Sequence, residues 1–524
     1  MRSFPLIRPA GLLAFVLMGL VAVGQSRPMA QSSRGPEHAR RYQRLLIHNA
    51  MVIYGNGKPA YGPMDLMLQD GLIADIRPSG SFMSTADAVI DATGKYVMPG
   101  IVNTHMHWHE ERAPRIPQPI QYERNLYLAA GVTTAREVGG DTEKTKQWRA
   151  ESNAHRIVAP RILLWNRPNL GRNRTAEEIR AGVRQAKADG FDGLKIGGLD
   201  RDQLETVLDE AKKQGLCTTT HIGLEETTAK HYIDLGVCSI EHFYGIADAA
   251  LDGIQAFPPN MNTDNEIHRF GRAGELFGQA NREKLMKLVE YMAEKKVGWS
   301  PTMSIYEASR DILRNQNLPW YKDYLHPSME EYFKASLSNH GSYFFGWTVT
   351  QEVKWKQMYR VWMDALLHFG RAGGLITTGD DAGYIWSLYG FGISRELELH
   401  EEAGFDPLEV LQHATWNGAQ LVGLGDRLGK VRQGWIADLL VVNGNPLENL
   451  RLLNPYGADV MTVNGRVVSN YTTVGPNDQV ANVHGGGIEW TIKDGIPYHV
   501  PTLMKEVKDM VAKARAERGR LTTP

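Results

Sequence analysis

Short apolar runs closed by a polar residue recur through the middle of this chain, and stretches with apolar residues at helical spacing separate them. The runs are residues 131–137, 161–165, 193–196, 218–221, 239–242, 298–302 and 374–379; the stretch leading into His105 brings them to eight. Residues 176–189 and 201–214 are two of the intervening helical stretches. Strands covered on both faces read as continuous apolar runs, and parallel neighbours need a crossover, usually a helix, between them. Strand–helix alternation repeated about eight times predicts an α/β fold, a (β/α)8 TIM barrel.

The two ends of the chain have a different texture. Residues 45–54 and 64–76 read as strands, the second a hairpin about Asp70-Gly71, with shorter strands at 89–91 and 96–98. The same texture returns at 437–442 and 460–468. Neither half makes a stable sheet easily by itself, so the two are expected to unite in a small β-sandwich domain built from both chain ends. The expected organisation is therefore a composite sandwich from 45–98 and 428–473, a barrel over 99–427, and a C-terminal tail over 474–524 with an amphipathic helix at 502–518. Inside the barrel, residues 304–369 interrupt the alternation with a segment rich in Trp and Tyr. Such an insertion sits on the active-site face; its aromatics either pack an inserted helical subdomain or form a lid over substrate.

Composition adds limits. A chain of 524 residues is long enough for a large domain and a smaller one. A hydrophobic content of 42%, a charged content of 22% and a formal net charge of −1 suit a globular enzyme and give no reason to expect nucleic acid or acidic lipid as partner. The expected partner is a small-molecule substrate, and a homo-oligomer remains open. Arg2 and Arg8 precede an apolar run at residues 11–24. That run falls short of the roughly 20 residues that span a bilayer, so residues 1–30 read as a cleaved signal peptide rather than a membrane anchor. The expected location is periplasmic or secreted. Only Cys217 and Cys238 occur, each four residues before a histidine, His221 and His242. They are either two small buried hydrophobes or a disulfide across adjacent strands.

The chemistry lies at the ends of the runs. His105 and His107 are alternate residues on a strand, so both imidazoles face one side and can reach one metal ion. Lys195 interrupts an otherwise apolar, glycine-flanked strand, where a bare ammonium is costly unless paired or modified. Carbamylation by CO2 would turn it into a carboxylate able to bridge two ions. His221 and His242 end consecutive runs one strand–helix unit apart. Asp381 follows the last run, where its carboxylate could bind metal and accept a proton from water; its neighbour Asp380 should face the opposite way. Singly each residue is ordinary, but the ordered set describes a metal-dependent hydrolase. Neither a nucleophile constellation nor a dinucleotide fingerprint competes with it.

Over residues 45–468 the chain resembles the amidohydrolase superfamily, nearest its exported branch of imidazolonepropionase-like and Xaa-Pro dipeptidase-like enzymes. The resemblance rests on Pro99-Gly100 leading into His105-Met106-His107, on Leu194-Lys195-Ile196, on Thr220-His221 and on Ser239-Ile240-Glu241-His242. It continues through Gly379-Asp380-Asp381-Ala382 and Ala414-Thr415-Trp416-Asn417-Gly418. It implies that His105 and His107 bind the more buried of two divalent ions, that carbamylated Lys195 bridges them, and that His221 and His242 hold the second. Zinc is the default, with manganese or cobalt as alternatives. Asp381 matches the acid that binds metal and moves the catalytic proton, while Asp380 stands where the family has Thr. The implied reaction is attack of a metal-bridging hydroxide on an amide C–N bond, non-cyclic, in a dipeptide or N-acyl amino acid. A lactonase or a phosphotriester or carboxylester hydrolase on the same site is the alternative, and an inert metal-binding scaffold is a third reading. Deamination is disfavoured, since His221 is followed by Leu224 and then Glu225 instead of the deaminase spacing. For substrate, Arg136 could pair with a carboxylate or with a structural acid, and His109 could line the pocket or sit in a solvated loop with Glu110 and Glu111.

Overall fold

The computed structural model describes residues 35–521 apart from 83–84, 114–115, 168–173, 224–226, 254–264, 272 and 338. The expected signal segment, together with Leu224 and Glu225, lies outside the described residues.

Strands β1 (Arg44–Val52), β2 (Tyr61–Gln69), β3 (Leu72–Pro78), β4 (Ala88–Asp91) and β5 (Tyr96–Pro99) open the fold. Strands β6 (Ile101–Met106), β7 (Val132–Glu137), β8 (Arg161–Leu164), β9 (Gly193–Ile196), β10 (Cys217–Thr220), β11 (Ser239–Glu241) and β12 (Gly298–Ser300) follow. The chain closes with β13 (Leu439–Asn443), β14 (Ala458–Val463), β15 (Arg466–Val467), β16 (Val480–Lys493) and β17 (Ile496–His499).

The two chain ends share one ten-stranded sheet. Its order is β15-β14-β16-β13-β5-β1-β2-β3, with β17 on β16 and β4 on β1. The hairpin of β2 and β3 turns at Asp70 and Gly71, both at positive φ (53° and 79°), as a two-residue loop between twisted strands requires. The ends meet where β5 pairs antiparallel with β13, Val97 opposite Val441. The sheet reaches beyond residue 473, because β16 lies between β13 and β14. The expected tail thus supplies two strands before its helix, Val500–Leu521. Its sequence hid this, since the first half of β16 is exposed and mixes Val480, Ala481 and Val483 with Asn482, His484 and glycines instead of showing a strand pattern.

The middle of the chain is mixed α/β. Parallel strands form two sheets, β6-β7-β8 and β9-β10-β11-β12. Lys195 N donates to Asn166 O (3.2 Å), joining the edge of one sheet to the other. The run at 374–379 forms a single parallel bridge, Ile376 to Trp299, instead of a strand. Thr377 N donates to Trp299 O (3.0 Å), and Thr104 N to Thr378 O (2.9 Å). The run therefore connects β12 with β6. Helices Ala176–Ala188 and Arg201–Lys213 fall where the helical spacing put them, and a capping box of Thr175 and Glu178 starts the former.

Between 303 and 371 the chain forms helices Met303–Arg310, Ile312–Gln316, Tyr321–Tyr324, Pro327–Tyr332 and Val349–Arg371. Most of the aromatics here are core. Trp355, Tyr359 and Trp362 are buried, Trp362 against Phe243 (ring centroids 4.8 Å) and Trp355 stacked on Tyr306 (5.8 Å). The C-terminal helix ties this region down: Arg515 Nη2 donates to Tyr321 O (3.1 Å), and Arg518 pairs with Glu331 (2.6 Å). Among the described residues, no helix is long and apolar enough to cross a membrane. Cys217 and Cys238 form a disulfide with Cα atoms 5.7 Å apart, tying the start of β10 to the residue before β11.

Candidate active site

The expected ligands gather at the C-terminal ends of the parallel strands, and the backbone ladder puts them there. His221 N donates to Ile196 O (3.0 Å), His242 N to Ser300 O (2.9 Å) and Asp381 N to His105 O (2.9 Å). His242, Thr302 and Asp381 all take left-handed φ (62°, 49° and 46°) just where their strands end. Each such non-glycine residue costs roughly 1–3 kcal/mol and persists where surrounding contacts over-determine it, a pattern that clusters at functional sites.

Three imidazoles are held by one nitrogen and present the other. His105 Nδ1 lies 2.6 Å from Glu241 Oε2, His107 Nδ1 3.4 Å from Glu137 Oε1, and His242 Nδ1 2.6 Å from Thr302 Oγ1. Arg136 and His105, working against burial, hold the Glu241 carboxyl well below its usual range. An ionised Glu241 only accepts, so His105 donates through Nδ1. The three Nε2 atoms lie 3.6, 3.3 and 3.8 Å from the Asp381 carboxylate. His105, His242 and Asp381 offer ligand atoms within 4.8 Å of one another, a triad able to hold a metal ion. The His221 ring is 4.7 Å from that of His242. Fixing one ring nitrogen to select the other as ligand is how protein metal sites orient histidine, so the donor set fits a divalent cation.

Electrostatics bind the cluster together. Burial lowers His105 to about 4, with Lys195 adding to the effect. His107 is raised to about 9: burial opposes its charge, but Asp381 and Glu137 outweigh it. Asp381 sits well below the carboxylate range; burial opposes this, and His105 and His107 prevail. Lys195 is buried, and that burial pulls it down to about 7 against the attraction of Glu241.

The adjacent acids divide as alternation requires. Asp380 is fully buried, accepts from Asn103 Nδ2 (2.8 Å) and is pushed up to about 7 by burial. It faces away from the imidazoles, so the change from Thr adds no carboxylate to the cluster. Arg136 is also fully buried and takes the structural role: Nη2 donates to Glu241 Oε1 (2.6 Å), Nε donates to Thr104 O, and the guanidinium lies 4.9 Å over Trp165. His109 is held between Tyr384 and Tyr389, its two nitrogens each 3.0 Å from a phenol oxygen. Glu110 pairs with Lys144 at the surface.

Glu137, Glu241 and Thr302 support the cluster without being singled out by the sequence pattern. The available signal is a carboxylate closing a fully buried strand, since an acid there needs a cationic or imidazole partner. Nothing local to Thr302 marks it.

A carboxylate facing three fixed imidazoles at the ends of parallel strands defines the chain as an α/β protein with a metal-type centre. Residues 376–468 match the Amidohydrolase family. Among curated proteins, 5-methylthioadenosine/S-adenosylhomocysteine deaminase of Pyrococcus furiosus is 35% identical over 63 residues, 12% of this chain. The chain spans 14% of the length of that relative. The fold is similar to a solved Xaa-Pro dipeptidase with bound methionine in its active site (TM-score 0.57, 19% identity, 87% of this chain and 100% of that one). It is also similar to bottromycin amidohydrolase (TM-score 0.62, 16% identity, 91% and 92%).

Proposed function

We propose that this protein is an exported binuclear metal-dependent amidohydrolase that cleaves a non-cyclic amide bond in a dipeptide or N-acyl amino acid. The observation that carries this reading is the convergence of His105, His107 and His242, each steadied through Nδ1, on the Asp381 carboxylate. In this reading His105 and His107 hold one divalent ion, His221 and His242 a second, and Lys195, carbamylated by CO2, serves both. Zinc suits such imidazole and carboxylate donors. Bound there, the ions supply Lewis acidity that polarises a substrate carbonyl and makes water nucleophilic near neutral pH. Asp381 is held as a carboxylate, so it can take the proton that attacking water releases and give it to the leaving amine nitrogen. Water is added across the C–N bond, and the residue ends as it began.

A (β/α)8 barrel is the proposed frame, supported by the backbone bonds that lead from β8 to β9, from β12 to residues 374–378 and from there to β6. A sandwich for the terminal sheet is supported by β1, where Leu45 and Ile47 join one buried cluster and Leu46 another. The Cys217–Cys238 disulfide supports export, because such bonds persist in oxidising compartments. The dipeptide class draws on the Xaa-Pro dipeptidase whose fold this chain shares.

The test is mass spectrometry of products after metal-loaded protein meets pooled dipeptides, N-acyl amino acids, lactones and aryl esters. Scission of amides is the expected result, lost on chelation and regained with metal. Turnover confined to esters or lactones moves the assignment to the esterase reading, and no turnover in any pool removes the enzyme reading for these substrates.

A further inference from the structure

Beyond the imidazole cluster, the loop after β6 carries a cation that among the described residues has no ion-pair partner. Arg112 packs against two phenol rings, its Cζ 4.0 Å from the centroid of Tyr332 and 4.2 Å from that of Tyr384. Its Nε and Nη2 are buried, and among the described residues neither has a hydrogen-bond partner. Arg161 and Arg395 meet carboxylates in this fold, and Arg136 meets both a carboxylate and a carbonyl; Arg124 shares the unpartnered Nε and Nη2 but lies over a single ring, Trp148. A buried charge left unpaired is costly, so its persistence asks for an anion that is sometimes there.

The position is a built one. Arg112 N and Ala113 N both donate to Ser328 Oγ (3.1 and 3.0 Å), pinning the loop to helix Pro327–Tyr332, which supplies Tyr332. Tyr384 links the guanidinium to the catalytic cluster. Its ring lies 6.2 Å from the His107 ring, and its hydroxyl lies 3.0 Å from His109 Nε2. The Tyr332 and Tyr384 centroids are only 6.2 Å apart, so the two rings meet the guanidinium at roughly a right angle to each other, and its Nε–Nη2 edge is the side without a hydrogen-bond partner among the described residues. The Nε and Nη2 hydrogens form two parallel donors there, a fork that matches the two oxygens of a carboxylate. Among the described residues, Arg112 has no ion pair that must break for such a ligand to bind.

We propose that Arg112, framed by Tyr332 and Tyr384, is the subsite for the free α-carboxylate of the substrate's amino-acid portion, and so selects N-acylated amino acids and dipeptides over their uncharged amides. The assignment rests on the amidohydrolase reading above and narrows it. It moves carboxylate recognition from Arg136, which Glu241 occupies, to a residue next to the cluster. It also gives the aromatic insertion a part in the pocket, through Tyr332.

The test compares two pools, N-acetyl-L-amino acids and the matching N-acetyl-L-amino acid amides. Binding is measured by equilibrium dialysis with mass-spectrometric readout on metal-loaded Asp381→Asn protein, with and without Arg112→Gln. The expected result is a preference for acids over amides of about tenfold or more with Arg112 present, falling to about one in Arg112→Gln. The ratio is taken within one preparation, so partial loss of folded protein cancels, and Arg112→Lys should restore part of it. Equal binding of both pools with Arg112 present overturns the assignment, as does a preference that survives Arg112→Gln or no binding at all. Initial rates of wild-type protein on the same pools separate the two proposals. Acid-selective binding without cleavage keeps Arg112 and removes amide hydrolysis; cleavage of acids and amides at equal rates keeps hydrolysis and removes Arg112.

Discussion

At the residue scale the cluster works through pairs. Asp381 faces three imidazoles, and Asp381→Asn keeps its shape while removing the proton acceptor. Turnover is expected to fall about a thousandfold, the scale of a lost general acid–base, with metal retained as counted by plasma emission. A variant of near-normal kcat would sink the assignment of Asp381. Glu241 supports two groups at once, the His105 imidazole and the Arg136 guanidinium, and all three are buried. Glu241→Gln leaves Arg136 without its counter-charge, an expected loss of about 3–5 kcal/mol in urea unfolding. Metal affinity should weaken about tenfold to a hundredfold as His105 loses its anchor. Unchanged stability would show that Arg136 finds other compensation.

At the element scale, the strands bring ligands to one end, and the turns just beyond them aim the side chains. The disulfide joins the two elements that lead to His221 and His242, across a sequence separation of 21. Cys217→Ser is expected to cost about 3 kcal/mol, the chain-entropy value for a loop of this size. Unfolding midpoints with and without reductant check this, and reductant should lower the wild type but not the variant. The strand runs were legible because an apolar strand covered on both faces has a simple pattern. The run at 374–379 was legible as extended chain, yet it pairs through one bridge, because Asn417 Nδ2 takes the Ile376 carbonyl (2.9 Å) that a strand partner would use. The Cys pair had two readings in sequence, and the register of β10 with β11 brings the two within bonding reach.

At the scale of the whole molecule, the terminal sheet makes the last strands indispensable. A chain ending at residue 473 lacks β16, the strand between β13 and β14, and is expected to be insoluble or to lose its cooperative thermal transition. Soluble, cooperatively melting protein would contradict that. Metal bound to the folded cluster alone should raise the melting temperature in a concentration-dependent way, and chelation should reverse it. The sequence by itself determined the alternation of strands and helices and the joining of the two ends, and it singled out His105, His107, Lys195, His221, His242 and Asp381 as candidates. These follow from local periodicity and from side-chain chemistry at strand ends, which neighbouring residues encode. Tertiary structure alone decided that Glu241 steadies His105 across 136 positions, that Asn103 takes Asp380 across 277, and that Arg112 packs against Tyr332 and Tyr384. Such partners are chosen by which strand ends and loops meet in space, and no local pattern carries that information.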